Sequence, residues 1–137
     1  MRILALVLAL AGPTLGIALQ GSVSRGPIET ARRRELEKTA QHNLEVARFY
    51  IRKQKWSAAR SRLQDIVKEF SEFGQMSEVF LLLGEVYRAT NDRELAIELY
   101  SRVVEEFPDS EFAARARERL QELNEPAKRR PGETAKP

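Results

Sequence analysis

The residues that could carry chemistry in this chain are few. His42 is the single histidine and there is no cysteine, which excludes multi-histidine metal sites, zinc–thiolate sites, disulfides and cysteine nucleophiles. Glu105 and Glu106 are adjacent carboxylates, but neighbours in a helix point about 100° apart and do not meet as an acid–base pair. The sequence also contains no glycine-rich phosphate loop and no nucleophile signature. We therefore expect no catalytic residue, no cofactor and no bound metal.

Residues 48–62 form a basic run that contains six basic and no acidic side chains. Such a run binds nucleic acid when aromatic side chains between the cations stack on bases, and here such aromatics are scarce. The whole chain is close to neutral, with 23 basic and 20 acidic residues. The charges are nevertheless unevenly placed, because residues 28–73 have a net charge of +4 and residues 74–110 of −5. We expect a solvated face or a surface for a protein partner or lipid headgroups, and no nucleic acid.

The first 22 residues are interpreted as a signal peptide or N-terminal anchor. A basic start at Arg2 is followed by the uncharged stretch from Ile3 to Leu19, which is the pattern of a secretory signal. The sequence Leu19-Gln20-Gly21-Ser22 looks like the lipid-attachment signal of bacterial lipoproteins, with serine in place of the lipid-bearing cysteine. Export without lipidation is the resulting prediction, with membrane association only through this segment if it stays uncleaved.

From residue 28 to residue 124 apolar residues recur at i, i+3, i+4 and i+7, which indicates an all-α domain. The pattern repeats at an offset of 37 residues, so that Tyr50 corresponds to Tyr87 and Ala59 to Ala96. Asp92 and Ser110 are candidate helix N-caps. Residues 125–137 are rich in proline and basic side chains and are predicted to be a disordered tail. The predicted helices are 29–53, 56–71, 77–90, 93–106 and 109–123.

The second repeat unit resembles the tetratricopeptide repeat. The residues that carry the resemblance are Phe80, Leu83-Gly84, Tyr87, Ala96, Tyr100 and Pro108, in a unit of 34 residues. The earlier unit, Ala40 to Phe73, fits less closely, because Ser71 replaces the proline and Gly74-Gln75-Met76 are three extra residues. The resemblance implies two antiparallel helical hairpins with a capping helix at each end, and a close helix–helix contact at Gly84.

A narrower resemblance rests on the run from His42 to Tyr50, on Trp56-Ser57-Ala58-Ala59, and on Phe107-Pro108-Asp109-Ser110. These stretches are similar to the BamD family of outer-membrane protein assembly lipoproteins, a family of about five repeats. The resemblance implies a non-catalytic scaffold in the periplasm or on the periplasmic face of the outer membrane of a Gram-negative bacterium. Tetratricopeptide domains of cell-division coordinators, with similar Leu-Gly-Glu-x-Tyr and Phe-Pro-x-Ser elements, are the alternative. A helical envelope enzyme is a further, less favoured one.

The tetratricopeptide resemblance also implies a partner-binding groove. In that family the first helix of each hairpin lines a concave surface, across which an extended peptide or a partner's helix can lie. We expect the ligand to be another envelope protein or peptide segment, and the sequence leaves the oligomeric state open. The predicted groove residues are Leu44, Arg48, Arg52, Leu81, Glu85 and Arg88.

Overall fold

A computed structural model describes residues 26–125, and every regular element in that stretch is an α-helix. The predicted signal segment 1–22 and the tail beyond Glu125 lie outside the described residues. The all-α class is confirmed. The helices are α1 (Pro27–Arg52), α2 (Trp56–Glu69), α3 (Met76–Ala89), α4 (Arg93–Glu106) and α5 (Glu111–Asn124).

The predicted helix bounds differ from these by at most two residues, as they do at the start of α5. That helix begins two residues later than predicted, because Pro108 and Asp109 form a turn and Ser110 is the N-cap. Asp92 is likewise the N-cap of α4. Neither side chain makes a capping hydrogen bond, so these two positions are caps by backbone geometry alone.

The turns after α1 and α3 are copies of each other. Gln54 has φ 56° and Asn91 has φ 67°, the left-handed conformation in which a helix commonly stops. The two residues are 37 positions apart, which matches the offset of the apolar pattern. In each turn the following N–H donates back to a carbonyl near the helix end, Lys55 to Tyr50 and Asp92 to Tyr87, both at 2.9 Å. Both hairpins are therefore closed by the same backbone motif.

Helix α3 lies at the centre of the molecule and packs against the other four helices. Nine of its 14 residues are buried, whereas α2 buries three and α5 buries two. Side chains from α1, α2 and α4 complete one continuous core around it. Burial of this apolar surface is the main favourable contribution to folding. The fully buried large side chains are Leu44, Leu63, Ile66, Val79, Leu81, Val86, Tyr100 and Val103.

The two ends of the stack are built differently. Helix α5 covers α4 and part of α3 through small side chains, Ala113 and Ala116, which allow close approach. Helix α1 is nearly twice as long as any other helix, and its residues 27–39 are all exposed. This projecting segment reaches past the α2–α3 loop, where Arg33 lies 3.7 Å from Glu72.

Candidate functional site

The candidate surface is the face formed by α1, α3 and α5, hereafter the three-helix face. Helix α3 contacts both α1 and α5, whereas α2 and α4 do not contact each other. In a curved stack of helices, the helices of the inner layer touch each other, whereas the helices of the outer layer are spread apart. The three-helix face is therefore the inner side, which is where the tetratricopeptide resemblance predicts a groove.

Two of the six predicted groove residues are not on this face. Leu44 has no exposed surface and Leu81 is 1% exposed. The prediction that they provide open apolar contacts is wrong. Leu44 stands four residues after Ala40 and three before Ala47, so that it belongs to the buried stripe of α1. Leu81 has the equivalent place between Ser77 and Gly84 in α3.

Arg48 lies on the three-helix face and joins α1 to α3. Its Nε donates to Oε1 of Glu78 at 2.8 Å, and its Nη2 donates to Oε2 at 2.6 Å. The hydrogen bonds to Glu78 raise the pKa of Arg48 above its usual value, while partial burial opposes them. The Glu78 side chain is only 13% exposed, so a paired carboxylate fixes the orientation of this arginine.

Glu85 lies two helical turns beyond Glu78 along α3 and joins α3 to α5. Its Oε1 accepts a hydrogen bond from Nε of Arg119 at 2.7 Å, and its Oε2 accepts one from Nη2 of Arg88 at 2.8 Å. Burial alone would raise the pKa of Glu85, but the hydrogen bonds from Arg88 and Arg119 outweigh burial and lower it. Arg119 also donates to Glu122. Glu85 is thus an ionised carboxylate held between two guanidinium groups.

Arg52 and Arg88 are the exposed members of the predicted set. Arg88 is tied to Glu85 within its own helix. Arg52 makes no ion pair with any residue of the stretch 26–125. Of the six residues predicted from sequence, Arg52 is therefore the cation most available to a partner.

Sequence reasoning missed Glu78, Leu82 and Arg119. Glu78, Leu82 and Glu85 are spaced i, i+4 and i+7, so they follow one line along α3. Leu82 is partly buried and packs against the core from this side. The helical spacing was readable in the sequence. The partners of Glu78 and Glu85 on other helices depend on how α1, α3 and α5 pack, and spacing within one helix does not give that.

The close contact predicted at Gly84 is present behind this face. A Cβ atom added at Gly84 would lie 2.6 Å from Cε1 of Tyr100. The Tyr100 ring is fully buried, its hydroxyl has no hydrogen-bond partner, and burial raises its pKa above the usual value. Because position 84 has no side chain, the Tyr100 ring of α4 packs directly against the backbone of α3.

Among residues 26–125 no group of three or more His, Asp or Glu side chains is arranged to hold a metal ion. No described helix combines the length and the apolar character needed to cross a membrane.

The repeat hairpins match a known family. A family model described as outer membrane lipoprotein, YfiO, matches residues 32–100, just over half of the chain. The matched region runs from the projecting part of α1 to Tyr100 in α4, and it includes Arg48, Glu78 and Glu85. No curated protein matches the chain. The chain belongs to the YfiO, BamD-like family of outer membrane lipoproteins.

Proposed function

We propose that this protein is a non-catalytic scaffold of the bacterial envelope that binds another envelope protein through the three-helix face. The observation that carries the proposal is the family match, whose residues 32–100 include most of α1 and all of α3, two of the three helices of that face. From the family we infer that the protein takes part in the assembly of outer-membrane β-barrels. The family is a scaffold family without catalysis, which supports the same conclusion.

The three-helix face offers both charged and apolar groups, which suits recognition of a partner segment that carries both kinds of side chain. Leu82 lies between the two carboxylates of α3 and takes the apolar role that Leu44 and Leu81 cannot fill. Arg52 provides an exposed cation at the end of α1. The ion pairs Arg48–Glu78 and Glu85–Arg119 hold the flanking groups in place before a partner arrives, and preorganised groups lose less entropy on binding.

Arg52→Glu is the sharpest test of this surface, because Arg52 is exposed and forms no ion pair within the described residues. The full chain, immobilised, is used to capture partners from an envelope extract, and the captured protein is then purified. We expect Arg52→Glu to weaken binding of the purified partner by about tenfold at low salt, since a rim charge steers association. The difference should shrink at high salt.

Lys68→Glu is the matched control. It makes the same change in charge on an exposed residue, but it lies on α2 in the outer layer. Equal loss of binding in both variants would mean that only total charge matters. Binding unaffected by Arg52→Glu and by Leu82→Asp would exclude the three-helix face as the docking surface.

The proposed location has a separate test. The 137 residues contain no cysteine, so they offer no thiol for a lipid. We expect the mature form to start near residues 19–25, to fractionate with the periplasm or weakly with the outer membrane, and to take up no radiolabelled palmitate. A full-length cytoplasmic product, or palmitate incorporation, would contradict this expectation.

A further inference from the structure

A second surface lies at the projecting end of α1, away from the ion pairs of the three-helix face. Residues 27–39 form more than three helical turns, and none of them is buried. Arg33 of this segment forms an ion pair with Glu72, and a Cβ added at Gly74 would lie 3.6 Å from Oε1 of Glu37. Both Glu72 and Gly74 belong to the α2–α3 loop, so the segment lies beside that loop.

That loop is itself unusual for a repeat of this kind. It contains Gly74 and Gln75, two of the three residues by which the first unit exceeds the 34-residue repeat, and the third, Met76, begins α3. Two tight turns shape it, with the N–H of Phe73 donating to the carbonyl of Phe70 at 2.9 Å and the N–H of Met76 donating to that of Phe73 at 3.2 Å. The two phenylalanine rings are turned inward as a result. The long helix α1 and the lengthened α2–α3 loop therefore lie side by side.

The corner between them is a cavity of about 260 Å³. Its apolar lining is provided by Leu36 and Ala40 of α1 and by Phe70 and Phe73 of the loop. Leu36 is 45% exposed, one of four large apolar side chains in the described stretch that face solvent, and Ile28 on the same projection is another. A pocket of this size accommodates a single large side chain and not a whole cofactor.

The rim of the cavity is acidic. Four glutamates, Glu29, Glu37, Glu69 and Glu72, line it with one arginine, Arg33. All five residues are exposed. Their summed charge of −3 stands out because this hairpin is otherwise basic. An anionic ligand, including the headgroup of an anionic lipid, would be repelled at this corner.

We propose that this cavity, hereafter the corner pocket, docks a basic amphipathic segment of another protein. One aliphatic or aromatic side chain of that segment enters between Leu36 and the two phenylalanines. Lysines or arginines on either side of it pair with the rim glutamates. The exposed projection of α1 provides the wall along which the segment runs, and docking buries Leu36.

The probe is a fluorescent peptide in which two basic residues flank each side of a leucine–phenylalanine pair, titrated with the full chain. We expect saturable binding at low salt that weakens about tenfold as salt is raised toward 0.5 M, because exposed charge pairs are screened. Leu36→Asp should weaken binding at least about tenfold, and the double variant Glu37→Lys with Glu72→Lys should do the same. A peptide with alanines in place of leucine and phenylalanine should bind poorly.

Leu95→Asp is the matched control for Leu36→Asp. Leu95 is 43% exposed, the same substitution applies, and it lies on α4 outside the pocket. Circular dichroism and thermal unfolding establish that each variant is folded. Equal loss in the Leu36 and Leu95 variants would overturn the proposal. So would equal binding by parent and pocket variants, or no binding up to about 1 mM protein.

Two further measurements test whether a second copy of this chain occupies the pocket and whether the peptide binds to the three-helix face instead. Sedimentation of the chain alone distinguishes a second copy as the occupant, since self-association abolished by Leu36→Asp would replace the basic partner segment with this protein itself. Arg52→Glu on the three-helix face should leave peptide binding unchanged. A change of peptide affinity in that variant, with binding by Leu36→Asp unaffected, would assign the peptide to the three-helix face. The corner pocket would then be excluded.

Discussion

Gly84 and Tyr100 show how one missing side chain determines the spacing of two helices. An added Cβ at position 84 would lie 2.6 Å and 2.9 Å from ring atoms of Tyr100, which is closer than carbon atoms pack. We expect Gly84→Ala to lower the free energy of unfolding by about 1–3 kcal/mol through overpacking. This loss opposes the gain of about 1 kcal/mol that alanine normally brings within a helix. Denaturant unfolding measures the balance.

Gly74→Ala is the control for that substitution, because its Cβ would meet only Oε1 of Glu37 at an ordinary 3.6 Å. It should change stability by no more than about 0.5 kcal/mol. Combining Gly84→Ala with Tyr100→Leu should restore part of the loss made by the first change. Full additivity of the two substitutions would show that the ring is not what limits the space.

Glu85 should make stability depend on pH in a defined direction. Its pKa is lowered in the folded state, so the unfolded chain binds the proton more readily. Its stabilising contribution is complete above the unfolded value of about 4.5 and is lost as the pH falls through the lower folded value. We expect Glu85→Gln to cost about 1.5–3 kcal/mol at pH 7, the range for hydrogen bonds to charged groups. The difference in the free energy of unfolding between parent and variant should become smaller toward pH 3.

Glu105→Gln serves as the comparison, since Glu105 is exposed on α4 and forms no ion pair within residues 26–125. Unfolding of the three proteins in denaturant between pH 3 and pH 7 gives the measurement. A gap between parent and Glu85→Gln that stays constant over this range would mean that Glu85 is not the group whose charge matters.

At the scale of the helix, the sequence periodicity predicted where the helices lie. It did not predict which side chains on different helices pair with each other. The 37-residue offset identified the two hairpins, and even the turns at Gln54 and Asn91 follow it. Leu44 and Leu81 were predicted to be exposed because the tetratricopeptide resemblance implies a groove there, but both belong to the buried stripe of their helix. The pairing of Arg48 with Glu78 and of Glu85 with Arg119 could not be predicted, because it depends on the crossing of three helices.

Helix α5 provides the clearest prediction at this scale. It docks through Ala113 and Ala116, which are 1% and 0% exposed, so the contact depends on small side chains. Ala116→Leu should separate α5 from α4 and lower the free energy of unfolding by about 1–3 kcal/mol. Ala114→Leu makes the same change on the exposed side of the same helix and should stay within about 0.5 kcal/mol of the parent. Similar effects in both variants would contradict the packing of α5 described here.

Across the whole molecule the charges divide between the hairpins, +4 on residues 28–73 and −5 on residues 74–110. The Arg48–Glu78 pair bridges that division on the three-helix face. Single charge reversal at Arg48 is a poor probe of binding, because it would place two carboxylates together and damage the fold. Its guanidinium donates two hydrogen bonds to Glu78, and the reversal would remove both.

Exchanging the two residues separates folding from recognition. Arg48→Glu alone should cost about 1–3 kcal/mol, whereas Arg48→Glu with Glu78→Arg should recover most of that loss by reforming the pair. The exchange leaves net charge unchanged but reduces the hairpin charges to +2 and −3. Association with an envelope partner should then slow and depend less on salt, because long-range steering follows the separation of charge. An exchanged protein that is as stable as the parent and associates at the same rate at every salt concentration would restrict this pair to a structural role. Recognition would then rest on Arg52 and Leu82.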